Sequence, residues 1–170
     1  MDAFKREQRG VALAMAAALV LTILALGVAA ITDHEPLPFA ERLRIAMTAD
    51  VLVVAWLAAA IANVARLRFF SEQDIAGSSA ETSTVEVRRA GAILQNTLEQ
   101  VVLAITAHMI VAASFSHAHA LIVTLACLFA TGRLLFWIGY RHGARARAFG
   151  FALTFYPSVL ALIASAAHLL

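Results

Sequence analysis

Five long apolar runs, at roughly residues 10–32, 46–66, 89–115, 119–141 and 147–169, follow one another with only short polar intervals between them. A helix needs about 20 residues, at about 1.5 Å of rise each, to cross the hydrocarbon layer of a bilayer, and every run meets that length. Backbone groups in lipid find no water to bond, so each run predicts a membrane-spanning helix. The intervals are a short loop with Pro36 and Pro38, a longer polar loop from Phe69 to Val87 around "AGSSAETST", a tight turn near "SHAHA" and a basic turn, "YRHGARAR". No repeat and no soluble domain is visible. The predicted fold class is an all-α membrane protein with five spans.

Composition agrees: of 170 residues 62% are hydrophobic and 14% charged, and the mean hydropathy is +0.82, outside the range of ordinary soluble domains. Lys5, Arg6 and Arg9 precede the first run as in a signal peptide, but the run from Val11 to Thr32 is longer than a signal's apolar core and reads as a retained helix. The net charge of +2 is small and the cations sit at the ends of apolar runs, so no nucleic-acid partner is expected. Cys127 is the single cysteine and lies in an apolar run, which leaves no disulfide framework and no cysteine metal site. His108 is a lone imidazole on an apolar face, and His117 and His119 sit at an outer turn without matching carboxylates, so no metal is expected. Asp50, near the outer end of the second span, reads as an interfacial or capping residue rather than a proton relay.

Charge also predicts orientation. With five spans, the side holding the N-terminus, the 67–88 loop and the 141–146 turn carries or borders Lys5, Arg6, Arg9, Arg66, Arg68, Arg88, Arg89, Arg141, Arg145 and Arg147, while the other side has Arg42 and Arg44. By the positive-inside rule the first side is cytoplasmic and the C-terminus lies outside.

The third run carries the chain's most polar constellation, "VRRAGAILQNTLEQ". At 100° per residue Arg88, Arg89, Gln95, Asn96, Glu99 and Gln100 fall within an arc of roughly 140°, and Asn96 and Glu99 lie roughly 10 to 15 Å past Arg89. An ionised carboxylate at that depth must pair or reach a water-filled cavity. Arg133, two turns before Tyr140 in "GRLLFWIGY", lies at a similar depth and is a candidate partner for Glu99; Trp137 and Tyr140 continue from it. The residues predict an anion-attracting cavity at the cytoplasmic end, lined by Arg, Asn, Gln, Glu and Tyr. The amides taken alone read more readily as interhelical hydrogen bonding, and Glu99 with Arg133 is equally compatible with a structural ion pair.

Four marks in order give these residues a family likeness: "VARLRFF" closing one span, Asn-x-x-Glu at Asn96 and Glu99, "GRLLFWIGY", and Arg-x-x-Gly in "RAFGF". Over roughly residues 50–165 the chain resembles the MAPEG family, the membrane-associated proteins in eicosanoid and glutathione metabolism. The resemblance implies a four-helix transmembrane bundle over 46–170, preceded over 1–45 by an extra N-terminal transmembrane helix and outer loop, and assembled as a homotrimer. It implies glutathione bound between subunits, with Arg147 stabilising the thiolate, Asn96, Glu99, Arg133 and Tyr140 holding the tripeptide, and Arg89 and Arg68 as further contacts. Arg residues suit its carboxylates and Glu99 its ammonium group. Arg145 competes with Arg147 for the thiolate. Ala92 stands where the family often has Arg, and Phe136 where it often has an aromatic hydroxyl.

The leading expectation is a glutathione-dependent membrane enzyme of transferase or peroxidase type, acting on lipophilic electrophiles or lipid hydroperoxides that arrive through the bilayer. The alternative is a non-catalytic bundle of the same architecture that binds a lipid, an anionic ligand or a partner protein. The extra helix is expected to be lipid-facing support. No span is interrupted by paired Gly or Pro, which counts against a transporter. A reporter fused to the C-terminus is expected to be active only if it works outside the cytoplasm; activity of a cytoplasm-dependent reporter there would reverse the orientation.

Overall fold

The computed structural model describes residues 3–33, 35–77 and 82–169. Five helices fill it: α1 (Ala3–Thr32), α2 (Phe39–Phe69), α3 (Val85–Ser114), α4 (His119–Gly139) and α5 (Ala144–Leu169), with a 3-10 turn over Tyr140–His142. All five are long and apolar enough to cross a membrane, and there is no strand among the described residues. The helices extend beyond the apolar runs by up to about two turns, because charged first and last turns continue a helix past the lipid layer. The middle of the polar loop, residues 78–81, lies outside the described residues.

The connections show which ends coincide. The amide of Leu37 donates to the Ser116 carbonyl at 3.0 Å, and Phe115 meets the His168 ring at 4.9 Å, so the α1–α2 and α3–α4 connections share an end with the close of α5. At the other end the Arg145 amide donates to the Glu7 carboxylate at 3.2 Å, and Arg66, Arg89 and Arg141 line one cleft. This second end is the basic one.

Helix termini leave amides unsatisfied, and the chain supplies acceptors for them. Thr84 caps α3, its hydroxyl accepting from the Val87 amide at 3.4 Å. Thr84 is in turn held by buried Asp74, whose carboxylate accepts from the Thr84 hydroxyl at 2.7 Å and from Ser71 at 2.8 Å. Glu7 and Asp33 lie near the two ends of α1. Glu7 serves the start of α5, and Asp33 accepts from the Ala120 amide at 2.7 Å at the start of α4. An acidic group at a helix N-terminus also meets the positive end of its dipole. So α1 fastens both ends of the α4–α5 hairpin against which it packs.

Alanine is the commonest core residue, Ala46, Ala104, Ala107, Ala112, Ala152 and Ala161 among them, beside a few large side chains such as Ile122, Leu125, Phe129 and Leu153, while Leu13, Ile23, Val51, Val102 and Ile138 are exposed. Lipid is as apolar as Leu, so large side chains gain little by turning inward, and small ones let backbones approach. The tightest approach is between α4 and α5. A Cβ at Gly150 would collide with the Phe136 backbone nitrogen and lie 2.7 Å from the Gly132 carbonyl oxygen; one at Gly132 would lie 2.6 Å from Thr154 Cγ2.

Asp50 departs from its expected interfacial place. It is buried, and its Oδ1 lies 2.6 Å from Nδ1 of buried His108 across the α2–α3 contact. The reason is that α2 begins at Phe39 rather than at residue 46, which puts Asp50 roughly 16 Å along the helix. The imidazole that looked lone on its apolar face is partnered.

Replacing Gly150 by Val is expected to lower stability in micelles by at least about 2 kcal/mol, the size of an overpacking penalty. Gly91 lies in α3, where an added Cβ would meet nothing within 4 Å, so Gly91→Ala should be neutral or stabilising by up to about 1 kcal/mol. Equal effects in denaturant unfolding would refute the close-contact reading.

Candidate anion-binding site

Near the basic end a cavity of about 380 Å3 opens between α1, α3, α4 and α5. Its lining includes Asn96, Tyr140 and Arg147, together with Ala92 and Phe136, and Val11 and Met15 of α1. The turn between α4 and α5 sets this arrangement. Gly143, at φ 96°, takes a left-handed conformation that other residues rarely adopt, and it starts α5 immediately after the 3-10 turn. One helical turn later the Arg147 guanidinium lies 4.6 Å from the Tyr140 ring centroid, a cation–π stack.

Behind Asn96 lies Arg133, buried in the bundle. Its Nη1 donates to Asn96 Oδ1 at 2.9 Å and its Nη2 to Thr154 Oγ1 at 2.8 Å, while its Cζ sits 4.4 Å from the Phe136 ring centroid. Nε has no partner. A guanidinium only donates, so the amide oxygen of Asn96 must face it, and the amide nitrogen is left as the group Asn96 offers elsewhere. Arg147 likewise only donates. No carboxylate among the described residues lines the cavity. The site is therefore a largely apolar pocket with a few donors, backed by a buried cation and suited to an anion with a partly apolar body.

The other sequence candidates fall outside this cavity. Glu99 does not pair with Arg133: it is exposed, and its Oε1 accepts from Gln95 Nε2 at 3.0 Å. Depth was the same but azimuth was not. On α3 the polar stripe straddles the rim of the bundle, so Asn96 and Gln100 turn inward while Gln95 and Glu99 stay on the outer surface. Arg89 lies in the separate cleft with Arg66, Glu86 and Arg141, and Arg68 is exposed at the end of α2. Arg145 lines yet another cleft with Glu7, and a Cβ at Gly10 would lie 2.6 Å from its side chain. Arg147, not Arg145, faces the cavity.

Three participants were missed from sequence. Thr154 had no signal, being one hydroxyl in an apolar helix. Val11 and Met15 belong to the helix expected to serve only as lipid-facing support, yet they form a wall of the site.

The MAPEG family model matches residues 45–167, most of the chain, and leaves α1 outside the match. The chain belongs to the MAPEG family. The bundle α2–α5 thus has the family architecture, with α1 added at its N-terminus. Searches of curated proteins and of solved structures returned no match. MAPEG proteins include both glutathione-dependent enzymes and non-catalytic members.

Thr154→Val removes an acceptor from a buried guanidinium and is expected to cost about 1–3 kcal/mol in micelle unfolding. Thr154→Ser restores the hydroxyl and should lie close to wild type. A neutral Thr154→Val would show that Arg133 is not held as described.

Proposed function

We propose that this MAPEG protein is a glutathione-dependent membrane enzyme of the transferase or peroxidase type, working as a homotrimer with its site at the cytoplasmic face. The observation that carries this reading is the convergence of Arg147, Tyr140 and the donor-oriented Asn96 on one cavity backed by Arg133.

The donor set fits the anionic parts of glutathione. Asn96 and Arg147 would hold it in the cavity, and Arg133 acts through Asn96 by fixing which end of the amide faces inward. Glutathione supplies a thiol nucleophile when bound. A guanidinium beside a thiol favours its charged form, so Arg147 would raise the thiolate fraction at neutral pH roughly tenfold or more. Tyr140 holds that guanidinium in place through its ring. Val11, Met15, Phe136 and Phe151 give the cavity an apolar wall, which suits a lipophilic electrophile or hydroperoxide.

Glu99 supports the homotrimer. A carboxylate and an amide on the outer surface of a membrane helix are costly against lipid, and a neighbouring subunit would cover them. Glu99, Arg89 and Arg68 are then proposed contacts to glutathione at the seam between subunits, outside the cavity of one chain. The second reading, a non-catalytic bundle binding an anionic ligand or lipid, is favoured by Ala92 and Phe136, which line the cavity where the family often has a guanidinium and a hydroxyl.

Added to purified protein in detergent, glutathione should produce the short-wavelength ultraviolet absorbance of a thiolate. The signal should disappear in Arg147→Ala and persist in Arg145→Ala. No signal in the wild type, together with no heat of binding, would sink the enzymatic reading; binding without thiolate would favour the second.

A further inference from the structure

At the end opposite the basic one, a second cavity of about 640 Å3 lies between α1, the close of α3, the start of α4 and the close of α5. Most of its wall is apolar, with Leu26, Phe115, Leu121 and Leu160. One cation, Arg42 of α2, stands in the lining beside His117 and Ser116. Two carboxylates close to it in sequence have other partners: Glu41 reaches Arg44 at 3.5 Å, and Asp33 accepts from the Ala120 amide at the start of α4. No carboxylate among the described residues pairs with Arg42, and its Nε is buried without a partner. A half-buried guanidinium that lacks a counter-charge is unfavourable until an anion arrives.

We propose that this cavity is a binding site for a single-chain anionic amphiphile, whose head pairs with Arg42 and whose tail lies among the apolar residues of α1, α4 and α5. The volume accommodates one chain. If a methylene takes about the 30 Å3 of a water molecule, a sixteen-carbon tail needs roughly 480 Å3, whereas two such tails need about twice that. The tail has an entrance as well: Gly27 and Ala30 of α1 are exposed in the lining, and a Cβ at Gly27 would meet nothing within 4 Å. The site is separate from the glutathione reading and does not rest on it. A fatty-acid carboxylate and a lysolipid phosphate offer the same head chemistry to Arg42.

The test is native mass spectrometry and equilibrium binding on delipidated full-length protein, with palmitate, hexadecanol, lysophosphatidic acid and two-chain phosphatidic acid as probes. One palmitate per chain should bind, and hexadecanol should bind about tenfold more weakly or worse. Arg42→Gln should lose about tenfold or more, Arg42→Lys should recover binding, and Gly27→Phe should block the tail. Preference for lysophosphatidic acid over palmitate would make a lysolipid the source of the anion, and the reverse a free fatty acid; either supports the site. Equal binding of hexadecanol, indifference to Arg42→Gln and Gly27→Phe, loss only in Arg147→Ala, or tighter binding of phosphatidic acid would each overturn the proposal.

Discussion

The backbone contact between α4 and α5 is the constraint on which the rest of the molecule depends. Gly132 and Gly150 leave no room for a Cβ on either side, and Gly139 leaves none against Ala146, where a Cβ would lie 2.5 Å from the carbonyl oxygen. Helices in lipid gain little from hydrophobic burial, so packing and polar contacts must hold them, and both improve as axes approach. That approach brings Thr154 of α5 within hydrogen-bonding reach of Arg133 of α4, and it sets Phe136 and Tyr140 beside the first turn of α5. Without it the Arg133 guanidinium would lose one of its acceptors.

Arg133 then transmits the contact to α3. A buried guanidinium is tolerable when its donors are met, and here an amide oxygen, a hydroxyl and an aromatic face share them. Thr154 can serve because its own hydroxyl proton goes to the Phe151 carbonyl at 2.8 Å, which frees its lone pairs for Arg133. Asn96 is consequently locked with its donor end available. The chemistry of the cavity is thus set by a residue outside its lining.

Much of this architecture was legible in the sequence because lipid restricts the options. Apolar run length gave five helices, and the run order gave their connections. The depth of Arg133 and Asn96 followed from helical rise, and they do meet. What rise and period leave open is which arc of a helix faces inward. The polar stripe on α3 was coherent at 100° per residue, yet the bundle surface divides it, so Glu99 and Arg133 share a level without facing each other. The Asp50–His108 pair was hidden for a different reason: α2 starts well before its apolar run, and no local pattern links residues 58 apart in sequence. Similarly, nothing in the composition of α1 says that Glu7 and Asp33 reach other helices, or that Val11 and Met15 wall a cavity.

The division of the α3 stripe bears on assembly. A charged side chain at the centre of a bilayer costs about 2.5–3.5 kcal/mol even on the lenient scale set by membrane insertion, and an exposed Gln adds to it. Among the described residues Glu99 accepts a hydrogen bond from Gln95. A symmetric assembly that covers this face relieves the cost once per subunit, and it does so with the same surface each time. The inward edge of the stripe shapes a cavity inside one chain, while its outward edge remains unfavourable until a neighbour arrives. In the proposed homotrimer, the inward edge of this helix serves the cavity of one chain, and its outward edge serves both the subunit seam and the proposed glutathione contact of Glu99.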